Sequence, residues 1–98
     1  MTKETCTVVA TIRPTRTELD AVKRFLLLAA EEVRLEDGCI YYDLYEEVGG
    51  KLLFIEAWRD RDAWQFHNQA KSVEKIVAFL EGKLEEPTLV QEMYLAAN

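Results

Sequence analysis

Two prolines, four glycines, two cysteines and a single histidine are all that this 98-residue chain holds of the residues that most often punctuate, staple or metallate a small fold. One histidine and two widely separated cysteines give no pair at metal-ligand spacing, so no metal is expected. The chain also lacks a Gly-rich phosphate loop, a dinucleotide fingerprint and a serine elbow, and no cofactor is expected from its motifs. Long apolar runs are missing too. The longest, Phe25 to Ala30, falls far short of the roughly 20 residues that a membrane-spanning helix needs, and no basic, apolar leader opens the chain. Basic residues are in the minority, 12 against 18 acidic ones, for a formal charge of -6. Such a surface repels phosphate backbones and anionic headgroups, which argues against nucleic acid and membrane as partners, while the missing span and leader lead to the expectation of a soluble, cytoplasmic protein. Cys6 and Cys39 each sit inside an apolar alternating segment and read as small buried side chains rather than as a disulfide.

What is present is apolar periodicity: 49% of the residues are hydrophobic, enough for one core and hence one domain spanning residues 1–98. Cys6 to Ile12 alternates with period two, as a strand does, until Arg13 and Pro14 end it. Thr17 and Asp20 resemble a capping box, and Val22, Phe25, Leu26, Ala29, Ala30 and Val33 then recur at helical spacing, predicting a helix from about Glu18 to Leu35. Gly38 suits a tight turn into a tyrosine-rich strand, Cys39 to Glu46. Gly49-Gly50 then turns the chain into a partner strand, Lys51 to Arg59. Asp60 can cap a helix carrying Ala63, Phe66, His67 and Ala70, and Ser72 a second one with a stripe of Val73, Ile76, Val77 and Leu80. After Gly82 and Pro87, Thr88 to Leu95 alternates again.

Strand, helix, two strands, helix pair, strand is the order of a split arrangement in which two crossover units share one four-stranded antiparallel sheet. The expected class is α+β, with every helix on one face. The other face is then bare and apolar, and a second copy of the chain is the simplest cover for it.

Glu36-Asp37-Gly38-Cys39-Ile40-Tyr41-Tyr42-Asp43-Leu44, Phe54-Ile55-Glu56-Ala57-Trp58 and His67 resemble, in this order and spacing, the antibiotic biosynthesis monooxygenase superfamily. Its members show an acidic residue and Gly-Cys before a tyrosine, a Glu-x-Trp strand, and a histidine about nine positions later, as His67 follows Trp58 here. The resemblance implies a ferredoxin-like fold, pairing sheet to sheet into a dimeric α/β barrel, with a small pocket between sheet and helices. It implies activities ranging from cofactor-free oxygenation of quinols and polyketide aromatics to isomerisation and haem degradation. The haem-degrading branch is similar in fold but uses asparagine, tryptophan and histidine where this chain has Thr7, His67 and Val77, so haem degradation is not expected. Arg13-Pro14-Thr15-Arg16 also lacks the glycine that many relatives carry after the first strand.

His67 is the first candidate for catalysis, since a neutral imidazole can take a proton from a phenol or an acidic C–H; the alternative is a satisfied structural histidine. Glu56 and Trp58 share a face of one strand. Glu56 could receive a proton or bond to His67, and Trp58 could stack on a flat aromatic, or both could serve packing and a buried hydrogen bond. Strict alternation puts Tyr42 with Ile40 and Leu44, and Tyr41 with Cys39, Asp43 and Tyr45; the resemblance favours Tyr42 as the pocket residue. Thr11 and Arg13 could contact substrate at a pocket mouth, although an arginine beside a proline is as readily just solvated. Trp64 and Phe66 read as helix packing. Three functions stand open: a cofactor-independent monooxygenase of a small hydroxylated aromatic or quinol, an isomerase of a small keto compound, and a non-catalytic dimeric binder of an aromatic metabolite.

Overall fold

A computed structural model describes residues 4–96. Strands β1 (Cys6–Ile12), β2 (Cys39–Glu46), β3 (Leu52–Trp58) and β4 (Leu89–Met93) form one sheet in the order β2-β3-β1-β4. Every neighbouring pair is antiparallel. Helix α1 (Leu19–Val33) crosses from β1 to β2, while α2 (Arg61–His67) and α3 (Lys71–Leu80) cross from β3 to β4. Each crossover therefore spans a strand belonging to the other unit, and the α+β class and split order agree with the reading of the sequence.

The alternation of β1 shows why the sheet has two unlike faces. Cys6, Val8, Ala10 and Ile12 are buried, and they stand opposite Trp58, Glu56, Phe54 and Leu52 of β3. This inner face packs on Val22, Leu26, Ala30 and Val33 of α1 and on Ile76 and Leu80 of α3. Phe25 and Phe79, stacked with ring centroids 4.0 Å apart, tie α1 to α3 at its edge. The outer face carries no helix: Tyr41, Tyr45, Leu89 and Met93 are exposed, and Val9, Leu53 and Ile55 are half-covered.

Local departures from the expected pattern each have a tertiary cause. No capping box forms at Thr17 and Asp20, because a 3-10 turn over Arg16–Glu18 runs directly into α1, and Glu18 itself is the helical cap residue. Ser72 does not cap α3: Ala70 holds that place, and the Ser72 hydroxyl turns to Glu36. Asp60 does cap α2, accepting from the Ala63 amide at 2.9 Å. In β2 a bulge between Cys39 and Tyr41 sets Cys39 opposite Trp58 and Tyr41 opposite Ala57. Cys39 thereby joins Tyr42 on the inner side while Ile40 is left exposed, the reverse of strict alternation. The two cysteines are unpaired. Among the described residues no helix is long and apolar enough to cross a membrane.

Candidate functional site

His67 ends α2, and the start of that helix is pinned from two sides. The Asp60 cap fixes its first turn, and the loop after α1 lies directly against it at Gly38. There φ is +84°, and a Cβ would come within 2.6 Å of the Ala63 Cβ, so only glycine allows this approach. The Gly38 carbonyl also accepts from the Arg59 amide at 2.7 Å, joining the loop to the end of β3.

That contact brings Glu36, in the turn after α1, onto the last turn of α2. One carboxylate oxygen lies 2.8 Å from His67 Nδ1, and the other accepts from the Ser72 hydroxyl at 2.5 Å. Trp58 supports the imidazole from below, with ring centroids 4.5 Å apart and planes at 28°, and Tyr42 meets it edge-on at 5.6 Å. Only 4% of His67 is exposed. A neutral histidine that donates from Nδ1 to a carboxylate keeps its lone pair on Nε2, the form a general base needs.

Among the described residues, Nε2 accepts or donates no hydrogen bond, nor does the second carboxylate oxygen of Glu56, nor the Tyr42 hydroxyl. Among the described residues, no side-chain nitrogen or oxygen that is sealed from solvent lacks a partner. These three atoms therefore reach open space, and the space is a cavity of ≈ 200 Å³ between the sheet and the α2–α3 pair. Phe54, Ile76, Val73 and Trp64 supply apolar walls, and among the described residues no lysine or arginine lines it.

Glu56 is the second proton-bearing group on this cavity. Burial pushes its carboxyl up from 4.5 to about 7, against the lowering effect of the Trp58 Nε1–H, which donates to it at 2.9 Å; the Glu36 carboxylate adds to the rise. The Tyr42 hydroxyl is also driven upward, by burial first and then by the charges of Glu56 and Glu36. Cys39 follows the same pattern, raised to about 11 by burial and by Glu36.

The candidates read from the sequence thus divide. His67, Glu56 and Tyr42 converge on one cavity. Trp58 is wholly buried behind them, a support for His67 and a donor to Glu56 rather than part of the wall. Glu56 is not bonded to His67; Glu36 is. Thr11 belongs to the outer sheet face, opposite Leu53 and Leu89, and Arg13 is half-exposed beside Glu86 at 3.6 Å, so neither lines the cavity. Trp64 packs against the core, as expected, and also lines the cavity, whereas Phe66 is 74% exposed. Glu36 and Ser72 are the residues that sequence reasoning missed in these roles. The available signal was the acidic residue two places before Gly38.

Comparison with known proteins agrees with this architecture. The sequence model of the antibiotic biosynthesis monooxygenase family matches residues 5–78. YcnE of Bacillus subtilis is 40% identical over 46% of this chain and 50% of its own length. Rv0793 of Mycobacterium tuberculosis is 38% identical over 61% of this chain and 60% of its own. Both are provisionally named monooxygenases, and the matched regions span about half to three-fifths of each. In three dimensions the likeness is more extensive. The Rv0793 structure covers 96% of this chain at a TM-score of 0.88 and 28% identity. The crystal structure of PA3566 from Pseudomonas aeruginosa covers 99% at the same TM-score and 25% identity.

Proposed function

The chain belongs to the antibiotic biosynthesis monooxygenase family, and on that footing we propose that it is a cofactor-independent monooxygenase of a small hydroxylated aromatic or quinol. The observation that carries this reading is the Glu36–His67 pair, with Nε2 opening into a walled cavity. In the proposed reaction Nε2 removes the phenolic proton while Glu36 steadies the imidazolium that forms. The delocalised anion then passes an electron to dioxygen, and the two radicals recombine to form a C–O bond as a hydroperoxide. Breaking the O–O bond leaves one oxygen atom in the product; the other departs as water with protons taken from the substrate. The quinol supplies all four electrons, two in becoming a quinone and two in accepting oxygen. In this reading Tyr42, which lines the cavity, donates to a substrate oxygen, and the apolar walls keep bulk water from the radical pair.

Glu56 favours a second reading. A carboxyl raised to about 7 across the cavity from an imidazole can return a proton to a different carbon, which is what an isomerase of a small keto compound requires. Product mass separates the two readings, since monooxygenation adds one oxygen atom and isomerisation adds none. The deciding experiment is quinol turnover with and without dioxygen, for the wild type and for His67→Gln. Oxygen-dependent turnover lost in the variant is expected. An unchanged anaerobic rate would exclude oxygenation, unchanged turnover in His67→Gln would exclude the base, and binding without any product would leave a non-catalytic binder.

The same proposal includes a homodimer. The uncovered sheet face, with Tyr41, Tyr45, Leu89 and Met93 exposed on it, is the surface that a second copy would bury. Sedimentation of the wild type against Tyr45→Glu tests it: a dimer that the charge splits is expected, and a monomeric wild type would refute it.

A further inference from the structure

The cavity is mostly apolar, with one carboxyl and, among the described residues, no fixed positive charge on its wall. Glu56 opens into it, and Glu36 stands directly behind His67. The neighbouring surface is acidic. A hollow of ≈ 620 Å³ shares Val77, Leu80 and Thr88 with the cavity and is rimmed by Glu81, Glu85 and Glu86, all exposed. Two nearby cations offset this in part. Arg13 is engaged with Glu86 at 3.6 Å, and Lys83 is held over the Phe79 ring at 4.5 Å.

We propose that this cavity selects uncharged hydroxylated aromatics of one or two rings and rejects those that carry a carboxylate, sulfonate or phosphate. The inference rests on the function proposed above and names its substrate class. His67 is the one group on the wall that can become cationic, and in that reaction its charge is spent on the phenolate it creates. A second, permanent anion on the ligand meets no counter-charge on the wall and must shed much of its hydration to enter an otherwise apolar cavity. Size points the same way. At ≈ 200 Å³ the cavity is smaller than the roughly 300–1,000 Å³ usual for larger ligands, leaving little room for a hydration shell to enter with the charge.

Binding is the readout, so that a failure of catalysis cannot be confused with a failure of selectivity. Equilibrium dialysis without oxygen would compare 1,4-naphthalenediol with its 2-sulfonamide and its 2-sulfonate, the last two nearly equal in size and different in charge. Diol and sulfonamide are expected within about fivefold of each other, and the sulfonate about 100-fold weaker, or about 2.8 kcal/mol at 1.4 kcal/mol per tenfold. A sulfonate that binds as well as the sulfonamide overturns this inference alone. Failure of all three to bind up to their solubility limits overturns the proposed function with it. Replacing Glu81, Glu85 and Glu86 together by glutamine should strengthen sulfonate binding and flatten its salt dependence while leaving the diol unchanged. No change for the sulfonate would overturn the part assigned to the rim.

Discussion

Glu56→Gln tests the electrostatics of the cavity without any knowledge of the substrate. The carboxyl is 3% exposed and is raised from 4.5 to about 7 by burial, so the folded chain holds its proton more tightly than the unfolded chain does. Between those values the unfolded state carries fewer bound protons, and stability must fall as pH rises. The contribution is present in full below about pH 4.5 and gone above about pH 7. At about 1.36 kcal/mol per pH unit, the rise corresponds to roughly 3 kcal/mol. Glutamine keeps an oxygen to accept from Trp58 Nε1–H, now at 2.9 Å from Glu56, and cannot ionise. Urea unfolding of both proteins across this pH range gives a difference curve from which every shared titration cancels. It should rise from a low plateau in acid to a high one above neutrality, a span of roughly 3 kcal/mol in favour of the variant. A flat difference, or one that falls with pH, would show that Glu56 is not held in a desolvated site.

Further outcomes follow from the same contacts. Glu36→Gln removes the charged acceptor of His67 Nδ1, worth about 1.5–3 kcal/mol, and should lower kcat on any accepted substrate about 10- to 100-fold with little change in KM, which steady-state kinetics would read. Trp58→Phe keeps the stack on His67 but deprives Glu56 of its donor, and urea unfolding should show a loss of about 1–3 kcal/mol. Gly38→Ala forces a positive φ and a clash with Ala63, and should cost about 2–3 kcal/mol while also lowering kcat, because the same loop carries Glu36. Arg13→Ala, at an exposed ion pair, should stay within about 0.5 kcal/mol of the wild type with unchanged kinetics.

The sequence revealed whatever depended on repeating local pattern. β1 and β2 have the bounds that alternation predicts, since both run between clear breakers and the inner side of β1 is unbroken from Cys6 to Ile12. The helices shortened only at their ends, where α1 gives way to bonded turns through Arg34, Leu35 and Glu36. β4 was legible as a strand but not in its burial, because at the sheet edge all five residues stay exposed and alternation sorts nothing. What escaped was long-range. Ser72 looks like a helix cap on its own helix, and only the fold reveals a carboxylate 36 positions away that takes its hydroxyl instead. The bulge at Cys39 was hidden because cysteine, isoleucine and tyrosine suit either face of a half-buried strand.

The same limit explains why the sequence offers Glu56, and not Glu36, as a possible partner of His67, while its alternative of a buried hydrogen bond at Glu56 is the one the structure holds. Glu56 and Trp58 share a face by simple strand geometry, and that short-range relation is the bond they make. A carboxylate already committed to the indole is poorly placed to orient the imidazole stacked on that indole's ring. The orienting group must approach the edge of the ring bearing Nδ1, and the loop that Gly38 presses onto Ala63 supplies one there. Glu36 takes two donated hydrogen bonds and is fully engaged; Glu56 takes one and keeps an oxygen on the cavity. The fold has thereby separated two identical side chains into one that bonds the imidazole and one that opens onto the cavity, a division that no spacing along the chain encodes.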